Sequence, residues 1–327
     1  MRAIVASHPG DASVLQIADA PEPRPLAGEV LVDVAAVGVN FIDTYQRSGV
    51  YPVSFPFTPG LEGSGVVAEV GGAVTGFAPG DRVAWCSSLG SYAERVTVPA
   101  HALYAVPDSV DLRTAAAVTL QGLTAHFLSS STFRLGPEHT ALVHAGAGGV
   151  GLLLTQLACA RGARVITTVS TEEKEALSRA AGASAVLRYD QMPDLSADLP
   201  AAVRELTNGD GVDVVYDGVG AATFDASLGS LAVRGMLVLF GGASGQVPDF
   251  NLQRLNAGGS LFVTRPSMGH YLRTEQERAW RAGEVFSAVA SGELNVRVGA
   301  TYPLDQAADA HRALESRGTS GKVLLLP

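Results

Sequence analysis

Residues 139–170 show the clearest hydrophobic pattern in the chain. An apolar run at 140–145 leads into a glycine turn, an apolar helical run occupies 150–161, and a strand-like run follows at 164–169. Runs of this length and order predict a strand, a helix and a second strand. Together these elements form one βαβ unit.

After residue 170 the chain continues to alternate between strand and helix patterns. Ser170 and Glu173 have the spacing of a capping box, which predicts a helix that stops at Gly182. Further strands are expected at 184–188, 212–216, 236–240 and 260–264, and further helices at 198–206 and 223–232. Such alternation is typical of an α/β fold with a doubly wound parallel sheet, the Rossmann arrangement.

The N-terminal part, from residue 1 to about residue 120, has a β-rich pattern instead. Apolar or alternating runs lie at 29–37, 65–70, 81–86 and 93–98. Turn signals rich in proline and glycine separate these runs, which predicts short strands in a barrel-like unit. Asp111 can cap a short helix, and a second helix is expected to begin near Leu120.

The alternation ends after Pro266. The remaining residues predict a helix at 274–291, a strand at 296–300, a helix at 305–316 and a strand at 322–326. A tail of this size cannot form a hydrophobic core alone, so we expect it to fold back onto the N-terminal unit.

Composition narrows the class of protein. A chain of 327 residues is too long for one ordinary core, which favours two domains. The net charge is −9 and no stripe of lysine or arginine occurs, so we expect no nucleic-acid partner. Only two cysteines are present, and the first ten residues contain no apolar signal region. We therefore expect a cytoplasmic protein without a membrane span.

The glycine turn has the G-x-G-x-x-G spacing, formed by Gly146, Gly148 and Gly151. The first glycine allows a tight turn, the second lets the backbone approach a pyrophosphate, and the third lets helix and strand pack closely. Free N–H groups and the helix dipole then hold the phosphates. A ligand-free turn is the alternative, but the flanking strands and helix favour a dinucleotide.

Cofactor choice depends on the end of the second strand, where sites that prefer NAD have an acidic residue. This chain has Ser170 there and Lys174 one turn later. The small hydroxyl leaves room for a 2′-phosphate and the lysine supplies positive charge, so NADPH is expected. Arg188 and Tyr189 end the third strand and can assist. In the alternative interpretation, Lys174 is a solvated helix residue.

Other chemistries have weak sequence support. Histidine, cysteine and acidic residues do not occur at the spacing of metal ligands, so no metal is expected. The chain also has no G-x-S-x-G segment for a nucleophilic serine. Hydrolysis is therefore not expected.

Several motifs resemble the medium-chain dehydrogenase/reductase superfamily. They are NFIDTY at 40–45, GLEG at 60–63, GDRV at 80–83, QGLT at 121–124 and the glycine turn. A closer similarity, to the zinc-free NADPH:quinone oxidoreductases related to zeta-crystallin, rests on NFIDTYQRSGVYP at 40–52, YDGVG at 216–220 and VTRPS at 263–267. The resemblance covers nearly the whole chain. It implies a homodimer and three segments: a GroES-like catalytic domain at 1–123 and 266–327 around a Rossmann NADPH-binding domain at 124–265.

The resemblance also implies a site without metal. Zinc alcohol dehydrogenases of this superfamily have a cysteine in place of Asn40, a histidine in place of Leu61, and another cysteine near Gln121. Without a Lewis acid, the expected acceptor is one that takes electrons unaided. Some relatives have lysine in place of Gln121, and the role of Gln121 stays open.

The resemblance further implies which residues form the site. Phe41, Asp43 and Tyr45 are expected to line the nicotinamide side, and Asn40 and Tyr51 to lie near the acceptor, with the tyrosines flanking an N-x-x-D turn. The residues implied as catalytic are Asn40, Asp43, Tyr45 and Tyr51. The residues implied to bind the cofactor are Phe41, Thr124, Gly146, Gly148, Gly149, Val150, Gly151, Ser170, Lys174, Tyr189, Gly218, Phe240, Gly241, Thr264 and Arg265.

The expected function is NADPH-dependent reduction of quinones, with electrons passing to a planar acceptor in a cleft between the domains. One alternative is NADPH-dependent reduction of activated alkenes such as enones, with a nearby tyrosine as proton donor. A different class is an RNA-binding or structural crystallin-like protein. The acidic net charge weighs against RNA.

Overall fold

A computed structural model describes residues 1–327, which form two compact units. Met1–Leu123 and Thr274–Pro327 make up the first unit, and Thr124–Arg273 makes up the second. None of the helices is both long enough and apolar enough to cross a membrane.

The strands and helices follow each other along the whole chain. The strands are β1 (Arg2–Ala6), β2 (Leu15–Asp19), β3 (Glu29–Val39), β4 (Glu62–Val70), β5 (Arg82–Trp85), β6 (Arg95–Pro99), β7 (Tyr104–Ala105), β8 (Thr140–Val143), β9 (Arg164–Val169), β10 (Ala185–Arg188), β11 (Val212–Asp217), β12 (Leu231–Leu239), β13 (Phe262–Thr264), β14 (Val298–Pro303) and β15 (Lys322–Leu326). The α-helices are α1 (Phe41–Arg47), α2 (Leu112–Phe127), α3 (Gly149–Ala160), α4 (Glu172–Ala180), α5 (Leu195–Leu206), α6 (Phe224–Gly229), α7 (Gln253–Ala257), α8 (Met268–Tyr271), α9 (Glu275–Ser291) and α10 (Ala307–Glu315).

The first unit is built on a mixed sheet. Its path runs β14-β15-β3-β4-β5-β7, with β6 also paired to the long strand β3, while β1 and β2 form a separate two-stranded sheet. The final strand β15 pairs antiparallel with β3, with Val323 opposite Val39. The C-terminal tail is therefore part of the N-terminal sheet. Buried Val30, Val32 and Trp85 lie in one of its cores.

The second unit contains one six-stranded sheet in which every neighbouring pair is parallel. The strand order is β10-β9-β8-β11-β12-β13. The predicted doubly wound parallel sheet is therefore confirmed. Strand order reverses between β8 and β11, and ligands of such sheets bind beyond the carboxyl ends of the strands at that point.

Two local predictions about helices are wrong. The segment after Asn40 is helix α1 and not a turn, because the Asp43 carboxylate accepts the Asn40 backbone N–H at 2.8 Å and fixes the helix start. Helix α2 is continuous where two helices were predicted. Gly122 lies inside it, and a Cβ there would come within 2.9 Å of the Val285 side chain on α9, so close packing favours glycine at this position.

Two boundaries also differ from the predictions. Thr171, and not Ser170, caps α4, because its hydroxyl accepts the Lys174 backbone N–H at 3.3 Å. The second unit extends past the predicted boundary at 265, since the short helix α8 packs within it. There Tyr271 stacks on Phe127 with ring centroids 4.5 Å apart, and the Thr124 hydroxyl donates to the sulfur of α8's first residue at 3.8 Å.

Candidate active site

The glycine turn leads directly into α3. Gly148 precedes the helix in an extended conformation, and no side chain caps the helix start. The N–H groups of the first turn, which includes the half-buried Gly149 and Val150, are therefore available to a ligand. A Cβ on Gly151 would lie 2.3 Å from the Ala145 carbonyl oxygen, so only glycine fits there. The turn fits the diphosphate of a dinucleotide in shape and in donor chemistry.

Ser170 and Lys174 lie together after β9. Lys174 Nζ is 3.4 Å from Ser170 Oγ, and Ser170 is exposed. Partial burial lowers the pKa of Lys174, and the neighbouring Glu173 opposes that shift. Arg188 instead pairs with Asp190 at 2.6 Å. The result is a cation beside a hydroxyl, which suits a phosphate group.

Tyr189 belongs to a mostly buried polar cluster, which we call the His144 network: His144, Thr168, Tyr189, Asp217 and Ser227. The Tyr189 hydroxyl lies 2.6 Å from His144 Nδ1 and accepts a hydrogen bond from Thr168 at 2.5 Å. On the other side of the ring, His144 Nε2 lies 3.0 Å from Ser227 Oγ, which donates to Asp217 at 2.7 Å. Burial lowers the pKa of His144, against the opposing effect of Asp217, so the imidazole is neutral.

The loops after β11 and β12 bring three more of the predicted cofactor residues together. A Cβ on Gly218 would lie 2.8 Å from the Phe240 ring, and a Cβ on Gly241 would lie 2.4 Å from the Gly218 carbonyl oxygen. Side chains at either glycine would force the two loops apart. Thr264 ends β13, and the exposed Arg265 follows it.

In the first unit, α1 and the segment after it carry a group of aromatic side chains. The ring centroids of Phe41 and Tyr45 are 6.3 Å apart, and those of Tyr45 and Tyr51 are 5.4 Å apart in an edge-to-face arrangement. All three residues are half-buried. Such a group offers apolar ring surface together with two phenolic hydroxyls.

Asn40 lies in a buried cluster of charged groups. Lys322 Nζ donates to Asn40 Oδ1 at 2.7 Å and to Glu62 Oε2 at 2.5 Å. Asn40 Nδ2 donates to the same carboxylate oxygen at 2.7 Å, and the Leu120 backbone N–H donates to Glu62 Oε1 at 2.6 Å. The Lys322 and Glu62 side chains are only 1% and 0% exposed. The Asn40 amide is therefore engaged within the unit.

Asp43 connects this cluster to α10. Its Oδ2 accepts from the Tyr92 hydroxyl at 3.0 Å, and that hydroxyl lies 2.9 Å from His311 Nε2. Arg47 Nη1 lies 3.1 Å from His311 Nδ1, and because arginine can only donate, Nδ1 accepts and Nε2 carries the proton. Burial raises the pKa of Asp43 to about 7, whereas burial and Arg47 lower the pKa of His311 to about 3. We call this set the Lys322 network: Asn40, Asp43, Glu62, Tyr92, His311 and Lys322.

Sequence reasoning assigned no role to several members of the two networks, namely Glu62, Tyr92, His144, Ser227, His311 and Lys322. Lys322 and Glu62 are 260 residues apart, and Ser227 and His144 are 83 residues apart, so no local spacing relates them. One signal was present: Lys322 begins the apolar strand KVLLL, and a charge in that position needs a buried partner.

Comparisons with known proteins place the chain in a family. A model of the alcohol dehydrogenase GroES-like domain matches residues 26–108, and a model of zinc-binding dehydrogenases matches residues 149–282. Quinone oxidoreductase 1 of Escherichia coli is 42% identical over 322 residues, which are 97% of this chain and 97% of that protein. The chain belongs to the quinone oxidoreductases. These are members of the medium-chain dehydrogenase/reductase superfamily, so the predicted family and the predicted GroES-like and Rossmann parts are confirmed.

Two further proteins are similar to this chain. A 2-haloacrylate reductase from a Burkholderia species is 40% identical over 311 residues, covering 93% of this chain and 92% of that protein. A mycobacterial protein solved in complex with NADPH has a TM-score of 0.97 and 53% identity, with 100% of both chains covered.

At the positions where zinc-dependent relatives are expected to have metal ligands, this member of the quinone oxidoreductase family has Asn40 and Leu61. The Asn40 amide is engaged with Lys322 and Glu62, and Leu61 offers only an apolar side chain. The structure contains no group of three or more histidine, cysteine or acidic side chains arranged to hold a metal ion. The Lys322 ammonium provides the positive charge beside Glu62.

Proposed function

We propose that the protein is an NADPH-dependent quinone oxidoreductase. The observation that carries the cofactor class is the Lys174 ammonium 3.4 Å from the Ser170 hydroxyl at the end of β9, where NAD sites have a carboxylate. Membership of the quinone oxidoreductase family supports the acceptor class. The similar mycobacterial protein, which was solved with NADPH, supports the cofactor.

The second unit provides the residues that would hold NADPH. They are Thr124, Gly146, Gly148, Gly149, Val150, Gly151, Ser170, Lys174, Tyr189, Gly218, Phe240, Gly241, Thr264 and Arg265. The uncapped start of α3 favours the diphosphate, because its N–H groups and helix dipole attract an anion. The bound cofactor supplies the electrons for the reduction. The protein's own part is to bind it, orient it and exclude water.

The first unit provides the residues that we assign to the acceptor. The rings of Tyr45 and Tyr51 offer flat apolar surface to a planar molecule, and their hydroxyls can hydrogen-bond to its oxygen atoms. Phe41, beside Tyr45, stays assigned to the nicotinamide side of the cofactor. Asn40 and Asp43 are 5% and 0% exposed, so we assign them a positioning role. They hold the start of α1, and thereby its aromatic side chains.

Replacing Lys174 tests the cofactor assignment. We expect Lys174→Ala to raise the Michaelis constant for NADPH about tenfold and to leave that for NADH unchanged, because only NADPH has the 2′-phosphate that the ammonium contacts. Arg179→Ala is the matched control on the same helix, since Arg179 is engaged with Glu175 at 2.7 Å. An unchanged Michaelis constant for NADPH in the Lys174 variant would show the assignment to be wrong.

A second candidate function is reduction of activated alkenes with NADPH, with Tyr45 or Tyr51 as proton donor. The similarity to a 2-haloacrylate reductase favours it, since that relative's name describes reduction of an activated alkene. A panel of acceptors separates the two functions. We expect turnover of ortho- and para-quinones; turnover of 1,4-enones without any turnover of quinones would replace the first proposal with the second.

We also propose that the protein forms a homodimer through the β13 edge of the second unit. β13 is the last strand of its sheet, and Phe262 on it is 56% exposed. Val233 and Leu252 in the same unit are 73% and 70% exposed. Unpaired strand edges with apolar side chains favour association. Sedimentation of the wild type and of Phe262→Glu tests this: we expect a dimer and a shift toward monomer, and a monomeric wild type contradicts it.

A further inference from the structure

The His144 network adjoins the proposed 2′-phosphate site through the register of the sheet. Strand β10 pairs with β9 so that Arg188 lies opposite Val169. The residues that follow these two are Tyr189 and Ser170, so both side chains belong to the same carboxyl edge as Lys174. The direction in which the Tyr189 hydroxyl donates its proton therefore decides whether it can hydrogen-bond to the 2′-phosphate.

The hydrogen-bond inventory of the network fixes which atom carries each proton. Asp217 accepts from the backbone N–H groups of Val219 and Gly220 and from the hydroxyls of Thr223 and Ser227. A serine hydroxyl has one proton, and because Ser227 gives it to Asp217, its oxygen must accept from His144 Nε2. The neutral ring therefore has its proton on Nε2, and Nδ1 is an acceptor.

Two hydroxyls compete to satisfy that acceptor. The Tyr189 oxygen lies 2.6 Å from His144 Nδ1, and Thr168 Oγ1 lies 3.0 Å from the same nitrogen. In the present arrangement Thr168 donates to Tyr189, so the proton of Tyr189 points inward to Nδ1. A tyrosine in that state cannot donate to a phosphate. If Tyr189 turns its proton outward, His144 Nδ1 loses its donor. Leaving this buried acceptor without a hydrogen bond costs free energy unless another donor replaces Tyr189.

We propose that Thr168 is a specificity-determining positioning residue that exchanges with Tyr189 at His144 Nδ1. When a 2′-phosphate is present, Thr168 donates to Nδ1 and Tyr189 turns its proton to the phosphate. The Tyr189 hydroxyl, which otherwise donates to His144 Nδ1, can then donate a hydrogen bond to the phosphate. This proposal rests on the proposed NADPH function and adds a residue that does not itself touch the cofactor.

Thr168→Val tests the exchange by equilibrium titration of the full chain with NADPH and with NADH. We expect about tenfold weaker NADPH binding with NADH binding unchanged, because the variant keeps the shape of the side chain and loses the replacement donor. Thr168→Ser should restore NADPH binding. Thr167→Val is the matched control: Thr167 is the adjacent buried residue of β9, and its hydroxyl lies 2.6 Å from Ser178, outside the network.

A double-mutant cycle distinguishes exchange from general disruption. Ser227→Ala removes the group that forces Nδ1 to accept, so His144 can then donate from Nδ1 to the Tyr189 oxygen. We therefore expect the effect of Thr168→Val on NADPH binding to disappear in the Ser227→Ala background. Equal weakening of NADPH and NADH by Thr168→Val, no weakening of either, or persistence of the effect in that background would overturn the proposal.

A third variant separates this proposal from the one on which it rests. Tyr189→Phe should weaken NADPH binding and make Thr168→Val silent. If Tyr189→Phe binds NADPH as the wild type does, the exchange is overturned, while the NADPH assignment stands on the wild-type affinity and the Lys174→Ala result. If the wild type itself does not prefer NADPH to NADH, the cofactor assignment fails, and the exchange fails with it.

Discussion

Each of the two units buries a polar network, and the networks differ in how they neutralise charge. The Lys322 network places a full positive charge 2.5 Å from the Glu62 carboxylate, with both side chains almost inaccessible. The His144 network surrounds the Asp217 carboxylate with four donors from backbone and hydroxyl groups. Glu62 also accepts from Asn40 Nδ2 and the Leu120 N–H, but Lys322 is the only cation that donates to it, whereas Asp217 is stabilised by four neutral donors. The first network should therefore be the more fragile.

The largest loss of stability is expected from breaking the ion pair between Lys322 and Glu62. Lys322→Met leaves the Glu62 carboxylate buried without its cation, so we expect a loss of about 3–5 kcal/mol in the free energy of unfolding. Hydrogen exchange of β3 and β15 amides measures it within the first unit. Arg312→Ala is the control, because its ion pair with Asp309 is exposed and should contribute less than about 1 kcal/mol. A loss below about 1 kcal/mol for Lys322→Met would remove the proposed difference between the networks.

A smaller effect concerns pH, because two members of the Lys322 network respond in opposite directions. The pKa of Asp43 is raised from 3.8 to about 7, so its contribution to stability is full below pH 4 and is lost as pH rises through about 7. The pKa of His311 is lowered from 6.5 to about 3, so its contribution is present above pH 6.5 and is lost as pH falls through about 3.

These opposing slopes overlap between about pH 4 and 6.5 and offset each other there. Asp43→Asn removes the Asp43 contribution and leaves that of His311. On acidification through this range, we therefore expect the free energy of unfolding of the variant to fall by roughly 1 kcal/mol per pH unit more than that of the wild type. Urea denaturation at a series of pH values measures both slopes. Asp309→Asn, at an exposed position, is the control. Parallel curves for Asp43→Asn and the wild type would contradict the assigned protonation states.

The smallest effect is expected from removing one of the four donors to Asp217, the carboxylate of the His144 network. Thr223→Val deletes a hydroxyl that donates to Asp217 at 2.7 Å, and we expect a cost of about 1–2 kcal/mol because three donors remain. Thr155→Val is the matched control, since the buried Thr155 hydroxyl has no hydrogen-bond partner and its loss should be neutral or stabilising. Denaturation of both variants measures the difference. A cost for Thr223→Val as large as that for Lys322→Met would make the two networks equivalent.

The parts of the fold that the sequence predicted well have strong local patterns. The strand predicted at 164–169 is β9 (Arg164–Val169), and the long polar helix predicted at 274–291 is α9, capped by Thr274. Two predictions failed at local caps, where Asp43 fixes the start of α1 and Thr171 caps α4. Gly122, read from the sequence as part of a helix boundary, lies inside the continuous helix α2, where Val285 of α9 occupies the space that a side chain would need.

The sequence by itself determined the dinucleotide turn and the pairing of Ser170 with Lys174, because both are set by residues within a few positions of each other on one βαβ unit. Only the tertiary structure decided what holds Asn40, Asp43 and Tyr189. Asn40 is held by Glu62 of β4 and Lys322 of β15, Asp43 by Tyr92, and Tyr189 by His144 and by Thr168 of β9. All of these partners are distant in the sequence. A buried polar group needs a hydrogen-bond partner, but the local sequence does not specify which distant residue provides that partner. The packing of the tertiary structure determines it.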